Sequence, residues 1–384
     1  MKGRPAGLIA YNVLAGGWER VTVSPRTGAV DRHPCANPAR EPEWYLIPGL
    51  TDIQVNGVDS IDFNQVTLTP NDVRQAVDIL IQHGVTRCCP TVITRPREDT
   101  EAILRVLATA CARDGRVDAA VAGIHLEGPY LSAEDGPRGA HQREWIRDPD
   151  WEEFWGWQRA AEGRIRLVTV APERRGARGF IRQATAIGVI VALGHHAADD
   201  DDIMDAVQAG ARLVTHFGNG AHPVLPRHPN YLWTQLAHPD LWLSVIGDGI
   251  HLPASVLQVV FRQKPHRVML ISDLIADPRV DDEGVMRAIG QQVTTVEERV
   301  GLWNAPQLLA GSCTPLSEVL LRTVGMVGDL AGVLEAATVT PGRLLGWSSE
   351  NIMRDWVVCR FDSRTLTVKW VMQENQLLYD NADA

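Results

Sequence analysis

From Leu50 to Ile271 one pattern recurs eight times: a short apolar run, then a stretch with helical spacing. The runs are Leu50–Val55, Val85–Val92, Ala120–Leu126, Ile165–Val170, Gly188–Leu193, Leu213–Thr215, Leu241–Ile246 and Arg267–Ile271. A near-continuous apolar run of this kind suits a strand buried on both faces, and helices between such strands make parallel neighbours. Helices are expected at Pro70–Gln82, Asp99–Ala112, Trp151–Ala161, Gly179–Ala186, Asp199–Ala209 and Pro253–Arg262. Eight strands alternating with helices over roughly 250 residues is what a (β/α)8 barrel requires, although a doubly wound open sheet satisfies the same alternation. No GxGxxG, GxxxxGKS or GxxxxGKT opens a βα unit, which argues against nucleotide binding.

The two ends of the chain read differently. Gly7–Val13, Arg20–Val23, Trp356–Phe361 and Leu366–Met372 alternate between apolar and polar residues and are separated by turn formers. Residues 1–47 and 347–384 are therefore expected to form one small β-domain beside a barrel over 48–346. Asp277–Pro306 is polar and partly alternating, as for a hairpin insertion after the eighth strand; helices return at Pro315–Met326 and Val333–Thr338. The formal charge of −10 gives no broad positive field for nucleic acid or an anionic membrane, yet leaves room for a local anion pocket. The six cysteines are scattered, with no CxxC pair, as expected of reduced thiols. With no signal-like apolar segment and no run of about 18 apolar residues, the expected location is the cytoplasm.

Unusual polar residues gather where the apolar runs end. Gln54 and Asn56 close the first, Glu127 the third, His195 the fifth, His216 the sixth, Asp248 and His251 the seventh and Asp273 the eighth. In a barrel these ends converge on one face, so residues far apart in sequence meet in one pocket. Glu127, His195 and His216 make a two-histidine, one-carboxylate set suited to Zn²⁺ or another divalent metal. Each of the three alone reads more readily as a buried, hydrogen-bonded group; their convergence reverses that preference in favour of the metal. Asp273 is placed to take a proton from water and return it to a leaving amine, or, more blandly, to cap a turn. His125 shares a strand face with Glu127, which leaves a second metal open. Gln54 and Asn56 are neutral amides and poor zinc ligands, which favours one metal. Arg227 lies in a loop beyond His216 and reads either as an anion clamp or as a solvated cation.

A set of segments carries a resemblance: Pro48-Gly-Leu-Thr-Asp-Ile-Gln54-Val-Asn56-Gly57, Gly123-Ile-His-Leu-Glu127-Gly-Pro, Gly139-Ala140-His141, Leu193-Gly-His195, Val214-Thr-His216-x-x-Asn219, Gly247-Asp248-Gly-Ile-His251, Ser272-Asp273 and Leu309-Ala310-Gly311-Ser312. In this order they resemble the N-acetylglucosamine-6-phosphate deacetylase family of the amidohydrolase superfamily. The resemblance implies a distorted, TIM-like (β/α)8 barrel with a small β-sandwich domain made from both chain ends. It implies hydrolysis of the N-acetyl amide of a phosphorylated amino sugar in amino-sugar catabolism. By position, Glu127, His195 and His216 would bind one divalent metal per subunit, zinc ahead of iron, cobalt or manganese. Asp273 would be the general base and acid, and His141 would polarise the acetyl carbonyl. Asn219, Gly220, Asp248 and His251 match substrate contacts, as do Ala140 and the Leu309–Gly311 loop over the sugar. Arg227 matches a phosphate ligand reaching the active site of a neighbouring subunit, which implies a homodimer. Gln54 and Asn56 match the one-metal branch.

Departures cluster near the substrate: Leu274 and Ile275 after the catalytic aspartate, Gly220-Ala221 where relatives carry Ala-Met, bulky Trp233, and the acidic loop Ala133–Gly136. They imply a reshaped pocket around intact chemistry. Two further readings stand beside the leading one. One keeps the chemistry but takes the N-acetylgalactosamine-6-phosphate epimer or another N-acyl substrate; the other is a catalytically silent binding barrel.

Overall fold

The computed structural model describes residues 6–39, 41–362 and 365–384. Eight parallel strands run in sequence order: β1 (Leu50–Val55), β2 (Val85–Ile93), β3 (Ile124–Glu127), β4 (Ile165–Val170), β5 (Ile190–Leu193), β6 (Leu213–Val214), β7 (Trp242–Ile246) and β8 (Val268–Ile271). Closure comes through irregular backbone at the strand ends. The Asp273 N–H donates to the Gln54 carbonyl at 3.0 Å and the Asn56 N–H to the Leu274 carbonyl at 2.7 Å. The open-sheet alternative is thereby excluded.

The strands are buried on both faces because the two faces serve two cores. Ile53, Cys89, Leu167, Ala192, Leu213, Met269 and Ile271 fill the barrel interior, with Leu345 packed in the same cluster. Alternate residues such as Val92, Leu126, Val168, Val191 and Leu270 face the helical layer. Helix boundaries follow capping chemistry. Thr69 and Asp72 form a reciprocal capping box before Pro70–Gln82, with proline at the first helical position. Asp199 and Asp202 do the same for the helix Asp200–Ala209, which ends on Gly210 in the left-handed region.

Both chain ends join one seven-stranded sheet, in the order Gln376–Asp380, Leu366–Gln373, Trp356–Phe361, Tyr45–Pro48, Ala6–Asn12, Gly17–Val23, Val30–Pro34. The insertion after β8 is larger than a hairpin. It is a five-stranded antiparallel sheet of β9 (Arg279–Val280), β10 (Met286–Ala288), β11 (Gln291–Val296), β12 (Arg299–Leu302) and β13 (Ala305–Ser312). The expected Leu309–Gly311 loop is thus strand backbone. Four short helices escaped the periodicity, Gly115–Ala120, Tyr231–Ala237, Val339–Leu344 and Ser349–Ile352, and the first takes Ala120 out of the expected third strand. All six cysteines are free, four of them buried.

Candidate active site

Three of the residues that end barrel strands have left-handed backbone: His195 at φ 51°, His216 at 30° and Asp273 at 49°. Non-glycine residues pay strain there, so surrounding bonds must hold them in place. The His195 carbonyl accepts from the Ser132 N–H at 2.8 Å, and the His216 N–H donates to Ser244 Oγ at 2.8 Å. The Asp273 carbonyl accepts from the Ser312 N–H at 3.0 Å. Each kink breaks the strand and turns the side chain into the mouth of the barrel.

The side chains meet there. His216 Nε2 lies 3.0 Å from Glu127 Oε1 and 2.9 Å from His195 Nε2, and His195 Nε2 lies 3.4 Å from Glu127 Oε1. Donor atoms around a tetrahedral cation with bonds near 2.0–2.1 Å stand about 3.3 Å apart, so this buried triangle fits a divalent metal. His141 is the fourth member of the cluster, its Nε2 3.3 Å from His195 Nε2, and a ligand atom from each of Glu127, His141 and His195 falls within 4.8 Å of the others. His195 Nδ1 is tied to the Pro137 carbonyl at 2.9 Å, which fixes the ring with Nε2 inward.

The first-strand amides have a task that their ligand weakness concealed. Gln54 Nε2 donates to Glu127 Oε1 at 2.9 Å and to Asp273 Oδ1 at 3.2 Å, and Asn56 Nδ2 donates to Asp273 Oδ1 at 2.8 Å. Gln54 bridges the two carboxylates, Asn56 holds Asp273 alone, and Asp273 Oδ2 is left without a hydrogen-bond partner among the described residues. His125 does not join the cluster; its Nε2 lies 2.8 Å from Thr169 Oγ1, which lies 2.8 Å from Thr215 Oγ1. Burial pushes its pKa down to about 4, so it is neutral.

The electrostatics divide the two carboxyls. Burial pushes Asp273 up to about 6, and the nearby Glu127 adds to the effect. Burial works against Glu127 as well, but the hydrogen bonds of His195 and His216 outweigh it and hold that carboxyl well below its usual range. Two carboxylates pushed apart in this way suit one to hold charge and the other to exchange protons. Burial, then His195, keep His141 neutral.

A cavity of about 400 Å³ opens over this centre. Ala140, Asn219, Gly220, His251, Leu309, Ala310 and Gly311 all line it. Asn219 Nδ2 is buried with no partner, a donor for which a bound ligand is the natural acceptor. Gly220 sits at φ 54°, and a Cβ there would fall 2.6 Å from His195 Nδ1. Asp248 is not among the residues lining the cavity: its carboxylate accepts from the Ile250 and His251 N–H groups at 2.8 and 2.9 Å and lies 2.7 Å from His251 Nδ1. Buried and engaged in this way, it holds the His251 ring in place. Arg227 is exposed and does not line the cavity of its own chain. Sequence reasoning missed Thr94, whose Oγ1 lies 2.9 Å from His141 Nδ1; it follows β2 immediately, so the same strand-end rule picks it out. It also missed Arg299, which lines the cavity from the insertion.

No protein-family model matches the chain. Over 313 residues it is 32% identical to N-acetylglucosamine-6-phosphate deacetylase of Bos taurus, covering 78% of this chain and 74% of the relative. It is also 32% identical over 348 residues to N-acetylgalactosamine-6-phosphate deacetylase of Shewanella sp. (strain ANA-3), covering 88% and 84%. Among solved structures, an aspartate-to-alanine mutant of the Mycobacterium smegmatis N-acetyl-D-glucosamine-6-phosphate deacetylase, in complex with N-acetyl-D-glucosamine-6-phosphate, superposes with a TM-score of 0.81 at 28% identity, covering 98% of this chain and 99% of that one.

Proposed function

The chain belongs to the N-acetylglucosamine-6-phosphate deacetylase family, and from that premise we propose that it hydrolyses the N-acetyl amide of N-acetylglucosamine-6-phosphate, releasing acetate and glucosamine-6-phosphate. The observation that carries the reading is the buried Glu127–His195–His216 triangle beside an Asp273 carboxyl poised near neutrality. One divalent metal held by these three, zinc first and iron, cobalt or manganese after it, would supply Lewis acidity at the acetyl carbonyl. Asp273, with Oδ1 anchored by Gln54 and Asn56, takes the proton of the attacking water through Oδ2 and returns it to the leaving amine. With the Thr94 hydroxyl donating to Nδ1, neutral His141 carries its proton on Nε2 and donates toward the developing oxyanion.

The sugar lies against Ala140 and Leu309–Gly311, and the phosphate meets Asn219, Gly220 and His251. Arg227 reaches it from the partner subunit of a homodimer, a role supported by its exposure beside Val224 and Trp233, which are 84% and 56% exposed. Among the described residues no helix is long and apolar enough to cross a membrane; we place the enzyme in the cytoplasm. We divide the chain into a barrel over 48–346 and a β-domain from 1–47 and 347–384. The similarity to the N-acetylgalactosamine-6-phosphate enzyme favours one second reading, the same chemistry on that epimer. Acetate release from both hexosamine-6-phosphate epimers and their unphosphorylated forms, with metal content measured on the same sample, tests both. Turnover of the gluco-epimer ahead of the others supports the proposal; no metal-dependent release from any of them refutes it.

A further inference from the structure

Phosphate recognition in this cavity lacks a permanent cation in the set just assigned from the same chain. Asn219 and Gly220 are neutral, so neither offers a dianionic phosphoryl group a permanent positive charge. Among the described residues lining the cavity Arg299 is the one arginine, and no lysine joins it. Its guanidinium is exposed and has neither an ion pair nor a hydrogen-bond partner among the described residues. The nearest acid in sequence, Glu298, is taken by Arg322 at 2.7 Å.

The topology sets where Arg299 stands. It pairs with Ser312 across β12 and β13, and the Ser312 N–H donates to the Asp273 carbonyl. Arg299 is therefore two strands out from the end of β8, about 10 Å at the usual spacing of about 4.8 Å between neighbouring strands. Arg299 thus lines the same cavity as Asp273 from a strand set back from it, a remove comparable to the length of a hexose phosphate. On the reading that the substrate is a phosphorylated amino sugar, on which this step rests, we infer that Arg299 supplies the phosphate-binding cation within the chain and sets the preference for phosphorylated substrate. The planar fork of the guanidinium matches two phosphate oxygens. The insertion sheet thus carries a specificity residue as well as covering the site.

The test compares wild type with R299Q and R299K on N-acetylglucosamine-6-phosphate and on N-acetylglucosamine, with metal content and melting temperature as checks on folding. One lost charge-assisted contact raises KM for the phosphorylated sugar about 10- to 100-fold in R299Q, with kcat changed less than about threefold. R299K recovers part of the loss, and kcat/KM for the unphosphorylated sugar stays at the wild-type value. An unchanged KM for the phosphorylated sugar in R299Q overturns the inference and leaves Arg227 of the partner subunit as the phosphate cation. Equal losses on both sugars also overturn it, since they mark a structural role. Should wild type release no acetate from any phosphorylated amino sugar, the proposed function fails separately. Calorimetric binding of inorganic phosphate to wild type and R299Q then decides: weaker binding by R299Q upholds the cation role, and equal binding ends it.

Discussion

Asp52→Asn is expected to stabilise the protein at neutral and higher pH while barely changing its structure. Asp52 lies inside the barrel wall, accepting from Ser272 Oγ at 2.5 Å and from the Ser272 and Gln54 N–H groups at 3.3 Å each. Burial pushes its carboxyl from an ordinary 3.8 up to about 7, with Asp273 adding a little. The folded protein therefore holds this proton over about three pH units in which the unfolded chain has released it. At about 1.4 kcal/mol for each unit, ionising Asp52 costs the fold up to about 4 kcal/mol. The sign follows from the raised value: the stabilisation is complete below pH 3.8 and is lost as pH rises through 7. Asparagine mimics the protonated acid, keeping the two N–H acceptor contacts and donating to Ser272 Oγ. Urea unfolding of wild type and variant from pH 4 to pH 8 should give matching midpoints at the acid end and a growing advantage for the variant, about 2–4 kcal/mol by pH 8. A constant difference across that range, or a variant less stable at pH 8, would show that Asp52 is ionised and well solvated in the fold.

Other predictions concern the site itself. Gly220→Ala puts a methyl group 2.6 Å from His195 Nδ1 on a left-handed backbone, and elemental analysis should find metal content reduced several-fold; full occupancy would contradict the packing described. Thr94→Val removes the hydroxyl at 2.9 Å from His141 Nδ1, and steady-state kinetics should give kcat about 10-fold lower with metal retained; unchanged kcat would free His141 of any need for orientation. Asp248→Asn loosens His251 and should raise KM for the phosphorylated sugar several-fold more than it lowers kcat; an effect on kcat alone would place His251 at the reacting bond.

The barrel was legible because strands with both faces buried carry apolar runs: every residue of β1 is buried, and Leu50–Val55 falls on the expected bounds. The centre was legible because Glu127, His195, His216 and Asp273 break those runs with polar side chains at one end. What was hidden depends on contacts between distant segments. The helix Tyr231–Ala237 is short and carries an exposed Trp233, so it leaves no clear apolar stripe. Gln54 and Asn56 look like absent metal ligands until β1 closes against β8 and makes them donors to both carboxylates. Arg299 lies in a polar insertion and has no local signal; only the docking of β13 beside Asp273 brings it over the cavity.

The central claim is that one carboxyl moves the proton beside a separately held metal. Metal content and acetate release from N-acetylglucosamine-6-phosphate, measured together on wild type and Asp273→Asn, test it most directly. The account predicts that the variant keeps its metal and loses turnover by at least about 100-fold, the range typical of a general base. Near-normal acetate release from Asp273→Asn would contradict it.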